Sequence, residues 1–478
     1  MRKIAFVASE GLPFIKSGGL ADVIGSLPQA LLKKGYEVSV FLPMYLKIAQ
    51  KYRDQMIKKC SFTIKVGSID SVATIFEYKP EDVTYYFVEH AGYFEREGLY
   101  GYPDDGERFA FFSHAVLRMF KECDYFPDIV HSHDWHTGMI PVLSRIFYGK
   151  DSRYVAMKQI YTIHNLAYQG NFPSEMLDSC LGLPYSLMQD GTLRFHDGLS
   201  FMKAGILYSH KVTTVSNTYA QEILTPQYGE KMEEVLKFRQ FDLWGIVNGI
   251  DVQDWDPATD KYLAETFSAK KLSGKAKNKL AIQEELGLRQ TKDVLLVAMV
   301  SRLTWQKGVH LLVEKMADVM GLDLQLIVLG SGEHHMENQL RYMEEKYKRR
   351  MVFYGGYNEE LAHRIYAGAD LFLMPSLFEP CGISQLISMR YGTLPLVRET
   401  GGLKDTVRPF NKHTLEGTGF TFTQFNSDDF YHVLRLAQDT YYLDKKSWKK
   451  LVLNAMEKDV SWENSANQYD QMYKECFK

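Results

Sequence analysis

Two short stretches of the sequence place paired glycines where a backbone could approach a ligand closely. "KSGGLAD" begins at Lys16, and a near copy, "ETGGLKD", begins at Glu399. A Gly-Gly turn has no Cβ in the way, and the amides at the start of a following helix carry partial positive charge. Gly18-Gly19 and Gly401-Gly402 are therefore candidate anion cradles. For either copy alone, a tight loop that only packs a helix onto a sheet is the alternative. Neither copy matches the GxGxxG or GxxxxGK[ST] phosphate loops.

Basic residues stand close to both candidate cradles. Arg302 and Lys307 lie five residues apart in "SRLTWQKG", and Lys16 comes directly before the first glycine turn. Fixed positive charges at these places could bind a diphosphate. A pair of solvated surface residues is the alternative interpretation of "RLTWQK" by itself.

One carboxylate is placed where it could contact a sugar. In "LFEPCGISQ", Glu379 follows an apolar strand, Pro380 stiffens the turn, and Gly382 permits a close approach before a helix. A carboxylate near a helix start can bind sugar hydroxyls or steady positive charge that develops on a sugar ring. Cys381 could be a nucleophile, but no paired base is evident, so we favour a small, polarisable wall residue.

A cluster of histidines resembles a metal site at first sight. "DIVHSHDWHTG" contains His131, His133, Asp134 and His136. The spacing matches no zinc pattern, and one face of a strand would present only His131 and His133 together. We instead favour a hydrogen-bonding rim at a strand end, with Asp134 turned towards a sugar hydroxyl.

Two other polar motifs support weaker interpretations. "TIHNLAYQG" is a short strand that runs into His164-Asn165, which resembles the histidine cluster in form. "DWD", at residues 254 to 256, is the one DxD motif that could hold Mg²⁺ through a nucleotide, but it lies in a turn-rich segment. We therefore predict no metal and no cofactor.

Composition limits the class of protein. With 478 residues, 45% hydrophobic and 24% charged, the chain is expected to be a soluble globular protein with two large domains. A net charge of -3 with interspersed signs argues against nucleic acid as a partner. Five scattered cysteines without a CxxC pair predict reduced thiols. The short apolar run in "MRKIAFVASE" is too short for a signal-peptide core or membrane span, so we expect a cytoplasmic protein without a membrane partner.

The elements that must position these residues repeat in the two halves of the chain. The first half opens with an apolar strand at Lys3 to Ala8 and a glycine loop, followed by a helix and another strand, and one face of that helix carries Leu20, Val23, Ile24, Leu27 and Leu31. The second half repeats this order, with "VHLLVEKMADVM" as its helix, which predicts parallel sheets with right-handed crossovers. "VNGIDVQDWDP" has the composition of a connector, so we place one domain at 1–246 and the other at 247–458. Three helices close the chain, with Ser427, Ser447 and Ser461 as predicted N-caps. The last helix must pack against another element, because one of its sides carries Trp462, Ala466, Tyr469 and Tyr473. Two doubly wound domains would enclose a deep cleft, with ligands beyond the carboxyl ends of the strands.

An ordered series of motifs gives the chain a family resemblance. It resembles the bacterial glycogen synthases that use ADP-glucose and the plant starch synthases. The motifs that carry the resemblance, in order, are "KSGGLADVIGSLP", "HSHDWHTG", "TIHNLAYQG", "VNGID", "SRLTWQKG", "GGYNEELAHRIYAGADLFLMPSLFEPCG" and "ETGGLKDTV". The resemblance covers nearly the whole chain, and it implies the GT-B architecture of two Rossmann-like domains facing across a cleft. It also implies that the last helix, 459–478, returns to the first domain.

The resemblance assigns roles to individual residues. It implies that the first domain takes the glucan acceptor and that the second binds the nucleotide-sugar donor. The implied catalytic residues are Lys16, His164, Arg302, Lys307 and Glu379. The implied donor-binding residues are Gly18, Gly19, Asp134, Asn248, Tyr357, Cys381, Gly382, Thr400, Gly401 and Gly402, and the implied sugar or acceptor rim is Tyr100 and His133. One departure from the wider superfamily is Ile387, which stands where an E-x7-E pattern would have its second carboxylate and removes one possible ribose contact.

The implied reaction is glucosyl transfer from ADP-glucose to the non-reducing 4-hydroxyl of an α-1,4-glucan, with retained configuration. Negative charge would accumulate on the departing diphosphate, and fixed cations and helix starts would stabilise it without a metal. A catalytically silent glucan-binding or scaffold protein on the same fold is the main alternative. A phosphorylase or a sugar-nucleotide epimerase is the alternative among enzymes. The preference for adenine over uracil follows from the resemblance alone.

Overall fold

The apolar segment at the start of the chain forms a central strand, as predicted. In this computed structural model, which describes residues 1–478, it belongs to a nine-stranded sheet. The strands of this half are β1 (Lys3–Val7), β2 (Glu37–Pro43), β3 (Ile57–Val66), β4 (Ile69–Tyr78), β5 (Thr84–Glu89), β6 (Ile129–His133), β7 (Lys158–Ile163), β8 (Asn171–Pro173), β9 (Arg194–Phe195), β10 (Gly198–Ser200), β11 (Lys211–Thr214) and β12 (Leu243–Gly245).

The strand order explains where a ligand site can form in this half. It is β12-β11-β7-β6-β1-β2-β5-β4-β3, while β8, β10 and β9 form a small separate sheet. The chain winds to one side of β1 through β2 and to the other side from β6, so the order switches between β1 and β6. The strands from β12 to β5 are parallel, as predicted. The antiparallel edge formed by β3 and β4 is an addition that the sequence prediction did not contain.

Helices of the first half cover the sheet. The first of them buries Leu20, Val23, Ile24, Leu27 and Leu31, the face predicted from its periodicity. The helices are α1 (Gly19–Leu32), α2 (Gln50–Arg53), α3 (Ala91–Phe94), α4 (Asp105–Glu122), α5 (Ile140–Tyr148), α6 (Ser152–Ala156), α7 (Met176–Ser179), α8 (Ser186–Gln189), α9 (Phe201–Tyr208), α10 (Asn217–Glu222) and α11 (Glu233–Phe238), with 3-10 turns at Trp135–Thr137 and Gln240–Asp242.

The second half contains one six-stranded parallel sheet. Its strands are β13 (Leu295–Val300), β14 (Leu324–Gly330), β15 (Met351–Gly355), β16 (Leu371–Met374), β17 (Leu394–Arg398) and β18 (Phe420–Phe422). The order β15-β14-β13-β16-β17-β18 is that of a doubly wound nucleotide-binding sheet, in which the ligand crevice lies at the switch between the first and fourth strands. Here that switch lies between β13 and β16.

The second half contains nine helices, and one predicted helix is divided into two. They are α12 (Ser273–Glu285), α13 (Val309–Glu314), α14 (Met316–Gly321), α15 (His334–Lys346), α16 (Glu359–Gly368), α17 (Ser384–Arg390), α18 (Gly401–Thr406), α19 (Ser427–Leu443) and α20 (Lys445–Glu457), with a 3-10 turn at Trp305–Lys307. The single helix predicted for "VHLLVEKMADVM" is divided into α13 and α14 at Lys315.

Two of the predicted helix caps are wrong. Asn426 caps α19 by accepting from the Asp429 amide at 2.8 Å, and Asp444 caps α20 by accepting from the Ser447 amide at 3.0 Å. Ser427 and Ser447 therefore lie inside their helices. The caps are instead a carboxamide oxygen one residue before Ser427 and a carboxylate oxygen three residues before Ser447.

The last helix, α21 (Trp462–Glu475), packs with the first half of the chain. Trp462, Ala466, Tyr469 and Tyr473 are buried, as the predicted apolar face requires. One unit therefore comprises Met1–Asn248 with Trp462–Lys478, and the other comprises Gly249–Ser461. The sequence prediction divided the chain after residues 246 and 458. None of the helices has both the length and the apolar character that crossing a bilayer requires.

One pair of cysteines differs from the prediction of reduced thiols. Cys60 on β3 and Cys123 at the end of α4 form a disulfide, whereas Cys180, Cys381 and Cys476 are free thiols. The prediction of five reduced thiols is wrong for this pair, because β3 packs against α4 and brings together two residues that are 63 positions apart in the sequence.

Candidate active site

In the second unit, predicted site residues follow neighbouring strands of the sheet. Arg302 and Lys307 come after β13, Tyr357 after β15, Glu379 after β16 and Thr400 after β17. All of them therefore lie at the carboxyl edge, around the switch between β13 and β16. Ligands of open α/β sheets bind at this place.

The loops after β13 and β16 are tied to each other. The Leu377 amide donates to the Gln306 carbonyl at 2.8 Å, and Gln306 Nε2 donates to the Phe378 carbonyl at 3.2 Å. This fixes the 3-10 turn that carries Lys307 beside the loop that carries Glu379. The two functional loops consequently behave as one local structure.

Lys307 and Glu379 form a largely buried ion pair. The Lys307 Nζ lies 2.7 Å from Glu379 Oε2, and Ser376 Oγ donates to the same oxygen at 3.0 Å. The carboxylate is thus held in a fixed position by one cation and one hydroxyl. Sequence reasoning predicted both charged residues but not their pairing, and it missed Ser376.

The second glycine turn packs directly onto the Glu379 loop. A Cβ at Gly401, where φ is +45°, would overlap the Glu379 carbonyl oxygen, and a Cβ at Gly402 would overlap that of Cys381. The Gly402 amide donates to the Glu379 carbonyl at 3.0 Å. The packing role considered for a Gly-Gly turn is therefore present here, and the Gly402 amide is used within the protein.

The remaining predicted residues of the second unit line the same edge. Tyr357 is exposed, Arg302 is exposed in the loop after β13, and Thr400 is buried where α18 begins. Cys381 is buried. Gly382 adopts a φ of +74°, and a Cβ at this position would overlap the Gln385 side chain. A cationic loop, an exposed aromatic ring and a buried carboxylate thus share one edge of the sheet.

In the first unit, the predicted residues also follow adjacent strands. The Lys16 loop with Gly18 and Gly19 comes after β1, Asp134 after β6 and His164 after β7. The strand order β7-β6-β1 makes these three positions neighbours at the carboxyl edge, at the switch point of this sheet.

Asp134 has an unusual backbone φ angle and a raised side-chain pKa. Its φ of +57° is rare for a residue other than glycine, and such strain is common at functional sites. Its Oδ1 accepts from the His164 amide at 2.8 Å. Burial raises the pKa of Asp134 to about 7, although hydrogen bonds from the His164 and Asn165 amides oppose the shift. The carboxyl group therefore exchanges its proton near neutral pH.

The histidines divide into different roles. His133 Nδ1 and His164 Nε2 are 2.9 Å apart, and burial lowers the pKa of His164 to about 3 and that of His133 well below its ordinary value. His164 is therefore a neutral hydrogen-bonding group at neutral pH. His131 is structural, since it bonds Tyr473 Oη at 2.7 Å and Thr162 Oγ1 at 2.6 Å.

The aromatic rim is built around the last histidine of the cluster. His136 stacks on Trp135 with ring centroids 4.0 Å apart and lies 4.4 Å from the Tyr100 ring. Tyr100 Oη donates to Ser9 Oγ at 2.8 Å, and burial raises the pKa of Tyr100 well above its ordinary value, so the phenol stays protonated. The Oδ1 of buried Asn248 has no hydrogen-bond partner within the protein.

The first glycine loop is held by a carboxylate that sequence reasoning missed. Glu10, which is 4% exposed, accepts from the amides of Ser17 and Gly18. Burial raises the pKa of Glu10, and the hydrogen bonds from Ser17 oppose the shift. Lys16 Nζ lies 2.7 Å from Asp22 Oδ1. The Ser17 and Gly18 amides, which come before the first residue of α1, are therefore bound to the protein's own carboxylate. An acidic residue at the end of a buried strand, as in "FVASE", was the available signal.

Comparison with known proteins identifies the family. Residues 3–238 match the starch synthase catalytic domain, and residues 279–449 match glycosyl transferases group 1. The chain is 46% identical over 476 residues to a glycogen synthase of Clostridium perfringens, covering 100% of this chain and 98% of that protein. The chain belongs to the glycogen synthase family. A glycogen synthase of Ligilactobacillus salivarius is also 46% identical, with 99% of both proteins covered.

Solved structures agree with this family. The catalytic domain of starch synthase IV from Arabidopsis thaliana, bound to ADP and acarbose, matches with a TM-score of 0.90, 34% identity and 99% of both chains covered. A sucrose-phosphate synthase from Thermosynechococcus elongatus shares the fold, with a TM-score of 0.60, 18% identity, and coverage of 100% of this chain and 99% of that one. The predicted family, the two Rossmann-like domains and the glycogen-forming glycosyltransferase function are confirmed.

Proposed function

We propose that the protein transfers glucose from ADP-glucose to the non-reducing 4-hydroxyl end of an α-1,4-glucan, with retained configuration, and so elongates glycogen. The observation that carries the proposal is the Lys307–Glu379 pair at the switch point of the second sheet, beside Arg302 and the Gly401-Gly402 turn. An ADP-bound starch synthase of the same fold supports the choice of nucleotide.

The donor would be held by the second unit. Arg302 and Lys307 bind the diphosphate, because a lysine and an arginine beside a sheet crevice provide strong charge-assisted hydrogen bonds. Exposed Tyr357 stacks on the base, and Glu379 accepts from hydroxyls of the donor glucose. Thr400, Gly401 and Gly402 shape the phosphate side, while Cys381 and Gly382 form the wall next to the sugar.

The first unit would supply the sugar rim and one more cation. Asp134 and neutral His164 hydrogen-bond the glucose, and His133 holds His164 in position at 2.9 Å. Tyr100 and Asn248 contribute at the edge of the sugar site. Lys16 adds positive charge near the leaving group, and Gly18 and Gly19 let the backbone of its loop come close to the donor.

The reaction follows from where charge develops. The bond between C1 and the phosphate oxygen breaks as C1 gains positive character, and the acceptor O4 forms the new bond on the same face. The leaving diphosphate oxygen takes the proton of that hydroxyl, since no protein base is evident on the acceptor side. Lys16, Arg302 and Lys307 stabilise the departing charge, and no metal or cofactor is required.

An incorporation assay tests the proposal. The purified protein is incubated with glycogen and either labelled ADP-glucose or labelled UDP-glucose, with and without EDTA, and label in the polymer is measured. We expect incorporation from ADP-glucose that EDTA does not reduce. Label from UDP-glucose alone would overturn the donor, and no label from either would overturn the activity. A cytoplasmic location is part of the same proposal, and cell fractionation tests it.

A further inference from the structure

The first unit has a second cavity that the proposed reaction does not use. It has a volume of about 770 Å³ and lies between the end of β3, one face of α4, the end of α5 and the turn before α6. Cavities of this size hold small organic ligands. None of the residues assigned to glucosyl transfer lines it.

The position of the cavity separates it from the candidate active site. β3 is the outermost strand of the sheet and is four strands away from β1, where the Lys16 loop begins. Adjacent strands are about 4.8 Å apart, so β3 and β1 are separated by about 19 Å. A ligand in this cavity would not be part of the donor or the acceptor.

The lining is strongly basic. Lys65, Arg118, Lys121 and Lys150 line the cavity together with one carboxylate, Asp151. Four cations and one carboxylate leave an excess of positive charge. Like charges gathered around a concave surface repel each other unless an anion binds between them.

Partners within the protein neutralise only part of this charge. The Asp151 carboxylate is bound by the Arg153 guanidinium at 2.8 and 3.1 Å, and the charge of Lys121 adds a smaller contribution to the lowered pKa of Asp151. Arg118 pairs with Glu122 at 2.8 Å, and Lys65 pairs with Asp70 at 3.6 Å. Lys121 and Lys150 form no ion pair within 4.0 Å. These two ammonium groups are the part of the lining that lacks a counterion.

A buried imidazole completes the lining. His114 is buried, and its Nε2 has no hydrogen-bond partner. Burial lowers the pKa of His114 to about 4, although hydrogen bonds with the Leu181 and Cys180 backbone oppose the shift, so the ring is neutral at physiological pH. A neutral imidazole nitrogen without a partner is satisfied by a hydroxyl, which can donate or accept. Tyr148 and Ser152 add hydroxyl groups to the same wall.

We propose that this cavity binds a phosphorylated small metabolite, with its phosphate between Lys121, Lys150 and Arg118 and its hydroxyl-bearing part near His114. Phosphate oxygens match a cluster of ammonium and guanidinium donors. A hydroxylated carbon skeleton matches His114 and the wall hydroxyls. The concave shape favours a small molecule over an extended polyanion.

Calorimetric titration of the full chain tests the proposal with three probes: a hexose monophosphate, inorganic phosphate and ADP. Lys121→Ala/Lys150→Ala removes the two unpaired charges, both on exposed side chains. Lys58→Ala/Lys79→Ala is the matched control, because it removes two exposed lysines from the same unit outside the cavity. We expect the hexose monophosphate to bind the control like the original protein and the cavity variant at least tenfold more weakly.

Further results distinguish the sources of phosphate. If the cavity recognises the hydroxylated part, inorganic phosphate should bind more weakly than the hexose monophosphate. The His114→Phe variant should lose this difference in affinity. Equal binding of both would identify free phosphate as the ligand. Equal affinity of the cavity variant and the control for every probe would overturn the proposal. The proposal would also be overturned if the hexose monophosphate did not bind to the original protein. Glucosyl transfer, measured in parallel without added probe, should be the same in the cavity variant and the control. This measurement separates a failure of the proposed cavity ligand from a failure of the proposed glucosyl transfer.

Discussion

Lys307 and Glu379 lie 72 residues apart in the sequence and are ion-paired at 2.7 Å with side chains only 17% and 9% exposed. Each therefore compensates a charge that would be costly to leave alone in a largely dry environment. In the proposed reaction, a donor diphosphate at Lys307 would meet a cation already fixed in place, which would lower the reorganisation needed during bond cleavage.

The pairing predicts strong coupling between the two residues. Glu379→Gln and Lys307→Met should each lower the free energy of unfolding by about 3 kcal/mol, because each leaves an uncompensated charge. The double variant should lose much less than the sum of the two. Urea denaturation measures all three. Glu345→Gln, which breaks the exposed pair with Lys348, is the control and should cause no measurable change. Additive losses at Lys307 and Glu379 would contradict the coupling.

Gly401 should be irreplaceable because it packs directly against the loop that carries Glu379. Gly401→Ala forces a Cβ into the Glu379 carbonyl at a φ of +45°, so the Glu379 loop must move. We expect a stability loss of about 1–3 kcal/mol and a fall in kcat of more than tenfold. Gly321→Ala, at the end of α14 with open space around it, is the control and should keep full activity. Full activity in Gly401→Ala would show that the Glu379 loop tolerates displacement.

The sequence predicted the placement of the site residues better than their bonding. Glycine loops after apolar strands, as in "KSGG" and "SRLTWQKG", have a local signature, and parallel strands bring their carboxyl ends to one edge. Which partner each side chain finds there is decided by tertiary packing. The acidic residue that ends "FVASE" does not show which amides Glu10 binds, and the hydroxyl of Ser376 beside Glu379 carries no sequence pattern of its own.

The edge of the first sheet shows the same limit. β3 and β4 form a long antiparallel hairpin beyond the predicted parallel strands, and the Cys60–Cys123 pair depends on how that hairpin meets α4. Nothing in the spacing of 63 residues between the cysteines indicates their contact. Contacts between distant segments depend on packing, which motif and periodicity patterns do not encode.

Glu10 should act as a positioning residue for the Lys16 loop. Glu10→Ala removes the acceptor of the Ser17 and Gly18 amides, so the loop loses its fixed conformation. We expect kcat to fall more than tenfold with little change in the KM for the donor. Glu10→Gln keeps one acceptor oxygen and should recover part of the activity. Equal losses in the two variants would indicate that the charge, rather than the hydrogen bonds, is required.

Asp134 should make activity depend on pH. With its pKa raised to about 7, the carboxylate form that accepts a sugar hydroxyl becomes about tenfold more populated between pH 6 and pH 8. The kcat/KM of the original protein should rise over this range with a midpoint near 7. Asp134→Asn should be weakly active and show no such rise. A rate profile with the same midpoint in the variant would assign the titration to another group.

The raised pKa of Asp134 also predicts that Asp134→Asn stabilises the protein. The folded chain holds the Asp134 proton more tightly than the unfolded chain, whose pKa is near 3.8, so this group makes stability fall as pH rises from about 4 to about 7. Asp134→Asn removes the penalty. Its Tm should exceed that of the original protein at pH 8, and the difference should shrink towards pH 5. A constant difference across this range would contradict the raised pKa.

Lys16 should affect turnover much more than donor affinity. In the proposed function Arg302 and Lys307 of the second unit bind the diphosphate, while Lys16 in the first unit is paired with Asp22 at 2.7 Å. Its charge is needed when the leaving group gains negative charge, so Lys16→Gln should reduce kcat by about a hundredfold or more and change the Kd of ADP-glucose by less than threefold. Lys33→Gln, an exposed lysine directly after α1, is the matched control. Steady-state kinetics and calorimetry with the donor separate the two effects, and parallel losses in kcat and affinity would mean that Lys16 already contacts the bound donor in its ground state.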